Sequence, residues 1–106
     1  MQKYQFTLDS QTRALTIKIN EPRFEANNVG EFKEKLQSIW SYEIDTVTID
    51  CANVDFVDSS GIGALISIQK RLKMGSAPLS LANVQPGVRS MIEMLHLHRV
   101  FALKNN

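Results

Sequence analysis

One cysteine, three prolines, five glycines and almost no net charge bound what this 106-residue chain does. With Cys51 alone no intrachain disulfide forms, and its place after a β-branched run marks it as a small buried hydrophobe suited to a reducing compartment. Twelve Lys and Arg against eleven Asp and Glu leave a formal charge of +1. The two signs are intermixed, so there is no basic stripe for a phosphate backbone or an anionic membrane, and nucleic acid is not expected as a partner. The opening "MQKYQFTLDSQTR" lacks the apolar core of a signal peptide, and no run is long enough to span a bilayer. These absences predict a cytoplasmic protein with no direct membrane insertion. A composition 43% hydrophobic and 22% charged fits one soluble domain over residues 1–106, with neither linker nor repeat.

Familiar chemistry is missing as well. "DSSGIGALIS" has no lysine to neutralise phosphates as a P-loop does, and Gly61 and Gly63 lack the third glycine of a dinucleotide fingerprint. His96 and His98 stand two apart in "LHLHRV", off a common helix face and without other ligand types nearby, so no metal is expected. No cofactor is called for. A serine hydrolase would need one of these imidazoles beside Ser59, which leaves it a remote alternative.

What is present is a regular alternation of elements. "YQFTL" and "ALTIKIN" have the period of half-buried strands, and "DSQTR" between them has turn composition, which predicts a hairpin. Pro22 ends the second strand, and "EPRFEANN" reads as a loop. In "NNVGEFKEKLQSIW", Val29, Phe32, Leu36, Ile39 and Trp40 recur at helical spacing, and Asn28 with Glu31 resembles a capping box. Trp40 belongs on the core stripe. "IDTVTIDCANV" reads as a strand packed through Ile44, Val47 and Ile49. "SSGIGALISIQKRLKM" is a helix with Ile62, Leu65, Ile66, Gln69 and Leu72 on one face, Gly75 as its C-cap, and a basic last turn that complements its dipole. "PLSLANV" is a short strand, and "QPGVRSMIEMLHLHRVFAL" contains a helix begun by Pro86 with Val88, Met91, Ile92 and Leu95 on one face. The fold class is α/β, a mixed sheet of about four to five strands covered by helices, with an N-terminal hairpin.

The stretch "VDFVDSSGIG" sets two serines between an acid and a glycine at a helix start. A helix N-cap explains one serine, or Asp58, because such oxygens accept from unpaired N–H groups. The other reading is a phosphoacceptor: a phosphoryl group there would sit at the positive end of the helix and repel acidic groups on a docked partner. Spacing alone leaves both open.

The span "VTIDCANVDFVDSSGIGALISIQKRLK" resembles the STAS domains, and among them the bacterial anti-sigma factor antagonists. The preceding hairpin, the helix "VGEFKEKLQSIW" and the closing "LSLANVQPGVRSMIEMLHLHRVF" extend the resemblance over nearly the whole chain. It implies that Ser59 is the phosphoacceptor, that Asp58 neighbours it, and that Ser60 helps begin the helix. Gly61, Ile62 and Glu25 are then possible partner contacts, Glu25 standing in "RFEANN" where the antagonists usually carry an aspartate in a shorter pattern. The implied activity is partner switching. The unphosphorylated form binds an anti-sigma factor that is also a serine kinase, phosphorylation on Ser59 abolishes binding, and a metal-dependent PP2C-type serine phosphatase resets the cycle. Such a protein regulates transcription as a phosphoprotein in signal transduction and is not an enzyme. The alternative within the family is a constitutive, non-phosphorylated STAS subunit of a transporter or a multi-protein signalling complex.

Overall fold

The computed structural model describes residues 2–41, 43–73 and 76–104. Strands β1 (Tyr4–Asp9) and β2 (Ala14–Ile19) form the expected antiparallel hairpin, in register from Tyr4 opposite Ile19 to Asp9 opposite Ala14. The Asp9 carboxylate closes the turn by accepting from the N–H groups of Gln11 and Thr12 at 2.9 and 3.2 Å. Further strands β4 (Thr46–Asp50), β6 (Ser80–Ala82) and β7 (Ala102–Lys104) add in parallel, giving the order β1-β2-β4-β6-β7. A separate two-stranded parallel ladder joins β3 (Arg23–Phe24) to β5 (Phe56–Val57). "EPRFEANN", read as a loop, therefore contains a strand, and the run expected to contain a helix does contain one, over Pro86–Met94, and leads into β7.

Three helices connect these strands: α1 (Ala26–Ile39), α2 (Ser59–Arg71) and α3 (Pro86–Met94). Each parallel strand is added on the same side of the last, so right-handed crossovers put all three helices on one face of the sheet. The burial pattern agrees. Ile17, Ile49 and Leu81, adjacent in register, are fully buried, while Thr16 is exposed and Lys18 and Thr48 are half-buried. The helices thus cover one face, and the alternation legible in β2 and β4 follows from that asymmetry.

Phe32 of α1 sits at the centre of the covered side with no solvent exposure. Tyr4 and Phe24 meet its ring edge-on at centroid distances of 5.3 and 5.0 Å, and Phe6 stacks at 6.0 Å. Val29 and Leu36 are buried beside it, and Trp40 is half-buried with the Arg71 guanidinium 5.3 Å from its ring centroid. Ile44, Val47 and Ile49 are core as expected, and so is Cys51, whose thiol is pushed up to about 12 first by burial and then by the Asp50 charge. It is an inert packing group at neutral pH.

Several helix ends differ from expectation. Helix α1 starts at Ala26 with Glu25 as N-cap, so Asn28 is the third helical residue and not the cap. Its Oδ1 accepts from the Glu25 N–H at 2.9 Å while its Nδ2 donates to the Arg23 carbonyl at 2.6 Å. Glu31 instead reaches outward to Lys3 at 3.6 Å. Helix α2 stops at Arg71, where Lys70 and Arg71 lie in its last turn, and the Gly75 cap falls outside the described residues. Leu95 is 49% exposed because the chain leaves α3 at Met94 and turns at His96, φ 60°, into a 3₁₀ turn at Leu97–Arg99.

The aromatic contacts make one residue decisive. Phe32→Ala removes the ring on which three others pack and is expected to cost about 3–5 kcal/mol. A urea denaturation series showing a loss under about 1.5 kcal/mol, the range of volume-conserving swaps, would refute that central role.

Candidate functional site

Strand alternation builds the site. In β3 and β5, Phe24 and Val57 are paired in register and turn inward, at 1% and 5% exposure, so Arg23, Phe56, Glu25 and Asp58 lie on the outer side. The Asp58 N–H donates to the Phe24 carbonyl at 3.3 Å, which carries the ladder one step further before α2 begins.

Asp58, in extended conformation, is the N-cap of α2, and its Oδ1 accepts from the Gly61 N–H at 2.9 Å. Its Oδ2 accepts from the N–H of Ala26, the first residue of α1, at 3.1 Å. One carboxylate therefore spans the first turns of both helices, where unpaired N–H groups and the helix dipoles favour a negative charge. These donors, Gly61 foremost and then Ala26 and Ser60, hold the Asp58 carboxyl below the usual carboxylate range. The capping role that the sequence left open between Asp58 and a serine belongs to Asp58.

Gly61 is what allows the start of α2 to lie this close to the β3–β5 ladder. A Cβ there would lie against the Phe24 carbonyl oxygen and 2.7 Å from Val57 Cγ1, both inside van der Waals contact. Gly63, two residues on, is exposed and has nothing within 4 Å of its Cβ direction. The two glycines of "SSGIG" serve different ends: the first is a steric requirement, and the second leaves a surface open.

Ser59 and Ser60 occupy the first two helical positions, Ser59 exposed and Ser60 half-buried. Ser60, Gly63 and Ser67 border a shallow groove whose other wall is Ala26, Gly30 and Lys33 of α1. Ile62 is 6% exposed and Gly61 is also buried, so the side chain of Ile62 packs into the core and not onto a contact surface. Phe24 is likewise core. Glu25 is half-buried beside Asp58 and is held by the Arg23 Nε at 3.1 Å. Arg23 and Phe56, which sequence reasoning passed over, complete the outer side, the Arg23 guanidinium carbon lying 3.9 Å above the Phe56 ring centroid. The available signal was the alternation around Val57, legible only once so short a strand is assigned.

The charge environment adds an anion to the mouth of α2. A phosphoryl group on Ser59 would share the mouth of α2 with the Asp58 carboxylate, which already accepts from the Gly61 N–H. The imidazoles stand elsewhere. Helix α3 runs from the C-terminal ends of the parallel strands back to their N-terminal ends, which puts His96 and His98 at the far end of the sheet from Ser59. Among the described residues no group of His, Cys, Asp and Glu is placed to hold a metal ion, and no helix is long and apolar enough to cross a membrane.

The sequence profile of the STAS domain family matches residues 5–106. The chain belongs to the STAS domain family. Among solved structures, an anti-sigma-factor antagonist (STAS) domain protein from Planctomyces limnophilus superposes with a TM-score of 0.82 at 21% identity, over 100% of this chain and 92% of that one. The anti-sigma factor antagonist SpoIIAA in its unphosphorylated form gives 0.73 at 22% identity, over 94% and 88%; the Bacillus protein in its phosphorylated form is also similar, with 0.66 at 20%, over 94% and 91%. The murine anion transporter Slc26a9 gives 0.65 at 20% identity, over 81% of this chain and 14% of that one. The five-stranded mixed sheet with its N-terminal hairpin is the STAS fold.

Two measurements check the geometry at the helix mouths. Gly61→Ala is expected to destabilise by about 1–3 kcal/mol through overpacking against Phe24 and Val57, whereas Gly63→Ala, on an open helical surface, is expected to gain about 0.4–1 kcal/mol. Equal effects would refute the steric role of Gly61. Because the folded Asp58 carboxyl titrates below its unfolded value, its contribution is complete above about pH 4 and is lost as pH falls through the folded value. The stability difference between the STAS domain and its Asp58→Asn variant should therefore shrink on acidification, and a constant gap from pH 7 to pH 2 in denaturation midpoints would contradict it.

Proposed function

We propose that this STAS domain is an anti-sigma factor antagonist that works by partner switching, with Ser59 as its phosphoacceptor. The observation that carries the reading is the division of labour at the mouth of α2. Asp58 caps the helix, so the exposed Ser59 hydroxyl is not needed to hold the fold and stands ready for modification.

In this scheme the docked partner is a serine kinase and anti-sigma factor. The Ser59 Oγ attacks the γ-phosphorus of the kinase's ATP, the bond to the β-phosphate oxygen breaks, ADP leaves, and the hydroxyl proton passes to a base on the kinase. The product carries a charge of about −1.5 to −2. The Asp58 carboxylate already stands at the helix mouth, accepting from the Gly61 N–H, so the added charge is felt across the interface, where acidic groups are repelled and lose their hydration without compensation. Release follows, and a PP2C-type phosphatase restores the hydroxyl. The chain supplies no catalyst and binds no cofactor in this cycle, which runs in the cytoplasm. The existence of SpoIIAA structures in phosphorylated and unphosphorylated forms supports the type of switch.

The similarity to Slc26a9 favours a second reading, a constitutive subunit that is never phosphorylated. Intact-mass measurement and peptide mapping of the protein from growing and stressed cells separate the two. The switch predicts phosphate on Ser59 with condition-dependent occupancy, a Ser59→Ala protein that stays bound to its partner, and a Ser59→Asp protein weakened roughly tenfold or more. A complex that is indifferent to both substitutions and carries no phosphate under any condition identifies the constitutive subunit.

A further inference from the structure

Resting on the partner-switching reading, we infer that Arg23, stacked on Phe56 beside Ser59, is an anchor that receives a carboxylate side chain of the docked partner. The guanidinium is held on two sides, by the Phe56 ring 3.9 Å beneath it and by Glu25 Oε2 at 3.1 Å from its Nε. Among the described residues its two Nη atoms make no hydrogen bond, and the side chain is 53% exposed. A guanidinium fixed this way presents a planar pair of donors at little further cost in side-chain freedom, the geometry that matches a carboxylate.

The surroundings point to a protein surface. Phe56 is 38% exposed although its neighbour Val57 is core, so a large ring is left at the surface under a cation. Exposed ion pairs add little to stability, and the fold's inner contacts at this ladder are made by Phe24 and Val57. Arginine and aromatic residues together are the side chains that most often dominate protein interfaces. From Phe56 to Ser59 is three residues, at most about 10 Å of extended chain. An interface of ordinary size, about 800 Å² on each partner, reaches roughly 16 Å from its centre, so a protein docked over Ser59 also covers Arg23 and Phe56.

The occupant is a carboxylate and not a phosphate. Glu25 already sets one negative charge against the guanidinium, and a singly charged group tolerates that neighbour better than a dianion does. The arrangement also supplies a target for the switch: a partner carboxylate held on Arg23 lies close enough to Ser59 to be repelled once a phosphoryl group is added.

The test uses the full chain and the kinase from its own host that phosphorylates Ser59. Dissociation constants for that kinase are measured by calorimetry with the wild type, Arg23→Gln, Arg23→Lys, Phe56→Leu and the remote control Lys104→Gln, each with its melting temperature. Arg23→Gln is expected to weaken binding roughly tenfold or more with a shallower salt dependence. Arg23→Lys, which keeps the charge but loses the fork, remains weakened, Phe56→Leu falls between, and Lys104→Gln and the melting temperatures stay near wild type. If the kinase phosphorylates Ser59 but binds Arg23→Gln and Phe56→Leu as tightly as wild type, the anchor is wrong and the switch stands. If no host kinase acts on Ser59, the switch fails and the anchor with it.

Discussion

Asp58 places its two carboxylate oxygens between the first turns of α1 and α2, accepting from Gly61 on one side and Ala26 on the other. Helix N-termini are hard to bring together, since each presents unpaired donors and the positive end of a dipole. An anion shared between them satisfies donors of both and offsets their mutual repulsion. The rest of the site is built around that arrangement: Gly61 lets α2 start against the β3–β5 ladder, and Ser59 is left exposed.

Under the proposed switch, the domain's response to phosphorylation on Ser59 would be electrostatic. The first turn of α2 is fixed from three directions, by Asp58, by the Phe24 backbone and by the buried Ile62. Close-packed surroundings of this kind do not deform gradually. A charge added at Ser59 would therefore be presented outward on an unchanged scaffold, as the proposed switch requires.

The sequence made the large features legible where one physical rule dominated. The hairpin and β4 alternate because only one face of the sheet is covered, and the apolar stripes of α1 and α2 follow from helices packing on that face. It was less explicit where elements are short or where two residues compete for one role. Two-residue strands such as Arg23–Phe24 leave no periodicity to detect, and their pairing is set by a partner more than thirty positions away. At the mouth of α2 three adjacent residues are all good caps, and the bond from the Gly61 N–H shows that Asp58 takes the role. At α1, Asn28 hydrogen-bonds as a capping residue does, but from inside the helix, which displaces the apparent start by three residues. Leu95 keeps helical spacing, yet the left-handed turn at His96 carries the chain away from the face it would have joined.

The pleat of the β3–β5 ladder sorts its side chains with no overlap, Phe24 and Val57 to the interior and Arg23 and Phe56 to the exterior. Mutation can therefore explore the outer pair while the inner pair keeps the scaffold intact. A genome carrying several copies of such a domain would be able to insulate them from one another by small changes on this strip, diverging in allegiance without diverging in shape.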